Sequence, residues 1–175
     1  MPGEPLRVGV IGLGDIAQTA YLPVLAARAD VTLALLGRDN DRLTRIGRQY
    51  GAPRCVTRLD DLLESGIDVA FVHTSTEAHF GLVERLLSAG IHVLVDKPLA
   101  PSLADARHLV DLADRYGLRL RSASTAASRR RMRRWLSLAT EVFVGKGPRR
   151  NKIHSLRRVA RQEGVVPVSM EVVSY

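Results

Sequence analysis

Residues 8–25 read VGVIGLGDIAQTAYLPVL, and the order of residue types within them decides the fold. The apolar run 6–11 has strand character. Gly12-x-Gly14-x-x-Ala17 follows at once, and a helical pattern opens at Asp15 and Ile16. Each small residue has a physical task. Gly12 permits a tight strand-to-helix turn, Gly14 lets a pyrophosphate approach the backbone, and Ala17 lets the helix pack closely on the strand. The first N–H groups of the helix and its positive dipole end then face the phosphates. Strand, glycines and helix in this order are far more specific than the glycines alone. The competing reading is a glycine-rich turn that holds nothing.

Outward from this turn the pattern repeats. Strand-like apolar runs lie at 31–36, 69–73 and 92–95, with a shorter one near 55–57 and a weaker sixth at 118–120. Helical patterns lie between them at about 15–28, 39–50, 59–65, 77–89 and 102–116. Strands that are apolar throughout are expected to be covered on both faces, as in a parallel sheet. Alternating βα units predict an α/β fold with a doubly wound parallel sheet. Gly51, Gly66, Gly90 and Gly117 stand where helices should end, and Ser102 where one should begin, with Asp105 in its first turn.

The chain has 175 residues and a formal net charge of +8, but the charge is unevenly spread. Residues 1–118 carry 12 Lys+Arg and 15 Asp+Glu, a balance of −3; residues 119–175 carry 14 and 3, a balance of +11. A mildly acidic domain at 1–121 is therefore followed by a basic tail at 122–175, read as disordered or loosely structured rather than as a complete second domain. No apolar run is long enough for a membrane span, and no secretory leader is visible. Cys55 is the lone cysteine and is expected to be a small buried hydrophobe in a protein of the reducing cytoplasm. His73, His92 and His108 form no metal-ligand spacing, so no metal is expected.

Three further landmarks carry a resemblance: HTSTEAH at 73–79, AGIHVLVDKPLA at 89–100, and the helix after it. With the N-terminal glycines, residues 5–121 resemble the Rossmann domain of the Gfo/Idh/MocA family. That resemblance implies a nicotinamide-dependent oxidoreductase of sugars, sugar derivatives or cyclitols. The family has Glu-Lys-Pro where this chain has Asp96-Lys97-Pro98. The resemblance makes Lys97 the catalytic residue, beside nicotinamide and substrate, assisting the hydroxyl proton; the alternative is a solvated loop lysine. A lysine at the end of a buried strand loses hydration, which suits it to proton transfer. Asp96 is one methylene shorter than the family's acid, and Pro98 fixes the turn. Thr74, Ser75 and His79 match the segment that relatives place near the cofactor. His79 is alternatively a helix-start residue that packs or caps locally.

The end of the second strand bears on cofactor choice. NAD enzymes place an acid there for the ribose 2′-hydroxyl. Here Gly37 occupies that position and Arg38 follows. A small residue leaves room for a 2′-phosphate and Arg grips it, so NADP is preferred over NAD. Asp39 becomes the ribose acid if the register is shifted by two, and Arg38 is otherwise an exposed helix-start residue.

The resemblance stops near Leu120. Relatives continue with a sequence like VGFNRR and then a second α/β domain, which supplies the substrate pocket, an Asp and a His of the site, and much of the subunit interface. Substrate identity and oligomeric state therefore stay open. Residues 122–135 read SASTAASRRRMRRW, and an allowed choice of codons for them, read from the third base, gives GFNRRFAPTDAAL. This suggests a frameshift near codons 119–121. The runner-up to an active oxidoreductase is a cofactor-binding remnant without turnover. The arginines at 129–134 with Trp135 would suit nucleic acid or anionic lipid, but no accompanying motif supports either, and nucleic acid is not expected as a partner.

Overall fold

The computed structural model describes residues 4–123, and all of the basic tail beyond Ala123 lies outside them. Six strands form one sheet: β1 Leu6–Ile11, β2 Val31–Leu36, β3 Arg54–Val56, β4 Val69–Val72, β5 His92–Asp96 and β6 Leu120–Ala123. All pairs are parallel, in the order β3-β2-β1-β4-β5-β6. This is the doubly wound order of a Rossmann fold, which reverses direction between β1 and β4.

Alternation along each strand divides the core in two. Val8, Val10, Leu33, Leu35, Val69, Phe71 and Leu94 face one layer, with Leu22, Leu25, Leu43 and Ile46 from the helices over it. Ile11, Ala34, Ala70, Val72, Val93 and Val95 face the other, with Leu62, Val83, Leu86 and Leu109. Burial on both faces is why the strands read as continuous apolar runs. The helices of the first layer are α1 Leu22–Ala26 and α2 Asn40–Tyr50; those of the second are α3 Leu59–Glu64, α4 Thr76–Ser88 and α5 Leu103–Arg115. The Ser102 side chain caps α5 by accepting from the Asp105 amide at 3.0 Å. Gly51, Gly66, Gly90 and Gly117 all take positive φ after their helices.

Three expectations need correction. The first helix is not regular: a π-helical turn spans Ala17–Tyr21, with the Leu22 amide donating to the Ala17 carbonyl, before α1 begins. Pro23 explains it, since Pro has no N–H to give and its ring displaces the carbonyl four residues back. The sixth strand lies further along than expected, beyond Gly117 and Leu118, and runs through Arg121 to Ala123. An edge strand tolerates its polar residues because one side has no neighbour. Cys55 is exposed rather than buried. It too sits on an edge strand, with its sulfur lying over Gly47 of α2, and partial burial raises its thiol pKa.

Candidate functional site

Register brings the singled-out residues into one row. Ile11 pairs with Leu36 on one side and Val72 on the other, and Val72 pairs with Val95. The next residues along are Gly37, Gly12, His73 and Asp96. They line the carboxyl edge of four adjacent strands, where open α/β sheets place their ligands. The Gly12 amide donates to the Leu36 carbonyl at 3.1 Å, and the His73 amide to the Ile11 carbonyl at 2.8 Å.

Gly12 has φ +86, and a Cβ there would lie 2.5 Å from the His73 carbonyl oxygen. The turn therefore needs glycine on two grounds, handedness and space. Gly14 differs: a Cβ there would meet no heavy atom within 4 Å, and its φ lies outside the left-handed region. Asp15 is exposed, Ile16 is half-buried against the core, and Ala17 is fully buried. Gln18, which the sequence did not single out, folds back so that its Nε2 donates to the Leu13 carbonyl at 2.9 Å. Tyr50 braces the same turn, donating to the Gln18 carbonyl at 3.0 Å.

At the end of β2, a Cβ on Gly37 would come within 3.2 Å of the Leu13 side chain. Arg38 is exposed. Asp39 is occupied in capping α2, accepting from the Arg42 amide at 3.0 Å. Arg42, missed in the sequence because it sits inside an ordinary helical pattern, reaches back over this corner. Its guanidinium lies 3.9 Å from Asp15, and its buried Nε has no partner.

After β4 the chain turns through Thr74 and Ser75 into α4. Thr74 Oγ1 is buried without a partner, beside Gly12. Ser75 is exposed and precedes α4; its hydroxyl, after Glu77's own backbone amide, holds the Glu77 carboxyl below the usual range. His79 is buried, and both its ring nitrogens face carbonyl oxygens: Nδ1 that of Pro98 at 2.8 Å, Nε2 that of Thr74 at 3.1 Å. It ties the segment after β4 to the turn after β5 and presents neither nitrogen to the open edge.

Asp96 closes β5 and accepts a hydrogen bond from His73 Nδ1 at 2.8 Å. Sequence reading gave His73 no role; only the register of β4 and β5 reveals the pair. Tyr21, set by the π turn, lays its ring 4.2 Å from that of His73. Burial first, and then the Asp96 charge, push the Tyr21 hydroxyl up to about 12. Lys97 and Pro98 follow Asp96, exposed at the lip, joined by a cis peptide bond. Among the described residues no group of three or more His, Cys, Asp or Glu is placed to hold a metal ion, and no helix is long and apolar enough to cross a membrane.

The arrangement offers a glycine turn open to a phosphate, cationic side chains at one end, and a lysine beside an anchored carboxylate at the other. The model of the Gfo/Idh/MocA oxidoreductase family, NAD-binding Rossmann fold, matches residues 6–124. YceM of Salmonella typhimurium, assigned as an oxidoreductase, is 46% identical over 118 residues, covering 66% of this chain and 37% of that protein. The dTDP-3,4-didehydro-2,6-dideoxy-α-D-glucose 3-reductase of Streptomyces antibioticus is 37% identical over 119 residues, covering 67% of this chain and 36% of its own. Among solved structures, the 3-ketoreductase KijD10 of Actinomadura kijaniata, in complex with TDP-benzene and NADP, superposes with a TM-score of 0.63 at 36% identity, covering 68% of this chain and 38% of that one. The chain thus spans little more than a third of the length of the relatives it matches. By fold, by motif and by family model, the chain belongs to the Gfo/Idh/MocA oxidoreductase family.

Proposed function

We propose that this chain is the nucleotide-binding portion of an NADP-preferring oxidoreductase that acts on a sugar or a related polyol. The observation that carries the reading is Gly14. Among the described residues nothing occupies the space its missing side chain leaves. In the turn between β1 and the first helix, that opening suits the close approach of a pyrophosphate to the backbone. The residues fit a nicotinamide dinucleotide in the rest of the row as well. Gly12, Gly14, Asp15, Ile16 and Ala17 form the phosphate turn. Gly37 and Arg38 take the adenosine ribose, with Arg38 on the 2′-phosphate and Arg42 as a second guanidinium nearby. Thr74 and Ser75 line the middle, with His79 fixing that wall. Asp96, Lys97 and Pro98 form the nicotinamide end.

The nicotinamide, when bound, gives or accepts the hydride. Lys97 holds the reacting oxygen of the substrate and carries its proton, as an ammonium donor for a ketone or as an amine acceptor for an alcohol. The sugar class rests on relatives such as the dTDP-sugar 3-reductase. NADP rests on the absence of an acid at Gly37, on Asp39 being used as a cap, and on the NADP complex of KijD10. The reading of a remnant without turnover gains nothing from relatives that are themselves oxidoreductases. An exposed thiol such as Cys55 suits a reducing compartment, in keeping with the cytoplasm.

Turnover of NADPH with a panel of sugars, polyols and nucleotide-linked keto sugars tests the reading. Hydride transfer to at least one, lost in Lys97→Ala while NADPH binding persists, is the expected result. Unchanged turnover in Lys97→Ala would overturn the role given to the lysine.

A further inference from the structure

Asp15 and Arg42 face each other across the corner where the glycine turn meets the end of β2. Asp15 stands in that turn, one residue after Gly14, and Arg42 lies in the first turn of α2, three residues beyond its cap Asp39. The two sides of the corner are joined. The Gly12 amide donates to the Leu36 carbonyl at 3.1 Å, and the Leu13 side chain lies 3.2 Å from where a Gly37 Cβ would stand. The Arg42 guanidinium lies 3.9 Å from the Asp15 carboxylate, an ion pair too long for a hydrogen bond. The two partners are held differently. The Asp15 side chain is 96% exposed, against 42% for Arg42. Arg42 buries its Nε, and its amide is bonded to the Asp39 cap, so the packed stem and the start of α2 fix where its guanidinium lies. A carboxylate so fully in water holds its partner only weakly. Asp15 therefore contributes charge to this corner rather than geometry. The buried Arg42 Nε meets no acceptor among the described residues, which leaves a donor for a group brought in from outside.

We infer that Asp15 is a specificity-determining residue: its carboxylate offsets the Arg42 guanidinium and so restrains the preference for NADP over NAD. The inference rests on the reading above that this corner takes the adenosine ribose. The two nucleotides differ only by the 2′-phosphate, which carries a charge of about −1.5 to −2 at neutral pH. A guanidinium that already faces a carboxylate has less attraction left for such a group, and the carboxylate repels it directly. The pyrophosphate is common to both nucleotides, so what Asp15 does to it cancels when the two are compared. Gly37 then sets the room, Arg38 and Arg42 supply the cations, and Asp15 sets how far the balance tips.

Fluorescence titration of the intact chain with NADPH and with NADH, at low and at high salt, tests this. Asp15→Asn keeps the shape and removes the charge. At about 0.1 M salt the ratio of NADPH to NADH affinity should rise roughly threefold or more. At about 1 M salt, where the screening length is about 3 Å, most of that rise should vanish. Asp15→Glu keeps the charge and should leave the ratio within about twofold of the unaltered chain. Arg42→Gln should lower the ratio roughly threefold or more. The Asp15 side chain is exposed, and Thr19 bonds only its backbone carbonyl, so these changes at Asp15 leave the fold intact. An unmoved or lowered ratio in Asp15→Asn would overturn the inference. So would a rise that persists at high salt, an equal rise in Asp15→Glu, or an unmoved ratio in Arg42→Gln. Failure of the unaltered chain to bind either nucleotide would strike the proposed function, and this inference with it, whereas binding with an unmoved ratio strikes the inference alone.

Discussion

Gly12 and Gly14 stand two residues apart in the same turn, yet a Cβ on Gly12 would lie 2.5 Å from the His73 carbonyl oxygen, whereas a Cβ on Gly14 would meet nothing within 4 Å. Stability and binding are therefore separable within one motif. Gly12→Ala is expected to cost about 2 to 4 kcal/mol, from the strained φ and the backbone clash. Gly14→Ala should change stability by less than about 1 kcal/mol. Denaturant midpoints of the two variants check this directly.

Arg38→Ala should separate the two nicotinamide dinucleotides. Losing one charge-assisted contact to a 2′-phosphate is expected to weaken NADPH by roughly tenfold or more and to leave NADH nearly unchanged. Fluorescence titration with both nucleotides makes the comparison, and equal loss for both would remove the NADP assignment.

Alkaline pH should find a weak point at Tyr21. Its hydroxyl titrates near 12 in the folded chain against 10.0 for an ordinary tyrosine. Between those values the unfolded chain releases the proton and the folded chain keeps it, so stability falls as pH rises from 10 toward 12. The loss is on the order of 2 kcal/mol. Tyr21→Phe should flatten the decline, seen by comparing denaturant midpoints at neutral and alkaline pH. A decline of the same steepness in Tyr21→Phe would assign it elsewhere.

The opposite end of the sheet has its own polar anchor. Asp68 is buried and accepts from the Arg7 amide at 2.9 Å and from its guanidinium at 3.2 Å. Asp68→Ala strands that amide and should cost about 2 to 3 kcal/mol with an unchanged denaturant slope. Asp68→Asn keeps an acceptor and should lose less. Because this pair lies at the amino ends of β1 and β4, neither change should alter nucleotide affinity.

What the sequence made legible was what depends on neighbours along the chain. Alternating apolar strands, helix-ending glycines and the Ser102 cap are local patterns, and each is found at or within a few residues of its expected place. The row Gly37, Gly12, His73 and Asp96 was legible only in part. Gly12, Gly37 and Asp96 belong to recognisable motifs, but the partner of Asp96 sits 23 residues away. The pairing emerges only when β4 and β5 are laid in register. Arg7 with Asp68, 61 residues apart, was hidden for the same reason. The π turn escaped because Pro23 was read as part of an unbroken helix rather than as a missing donor. Cys55 was misplaced because an edge strand exposes a residue that the same composition would bury at the centre of the sheet.

The central claim, that the turn after β1 exists to receive a nicotinamide dinucleotide, is tested most directly by titrating NADPH into the intact chain and into Gly14→Val. Saturable binding to the unaltered chain, abolished in a Gly14→Val protein that keeps its far-UV dichroism and melting temperature, is the predicted result. No saturable binding to the unaltered chain, or equal affinity in the variant, would contradict it.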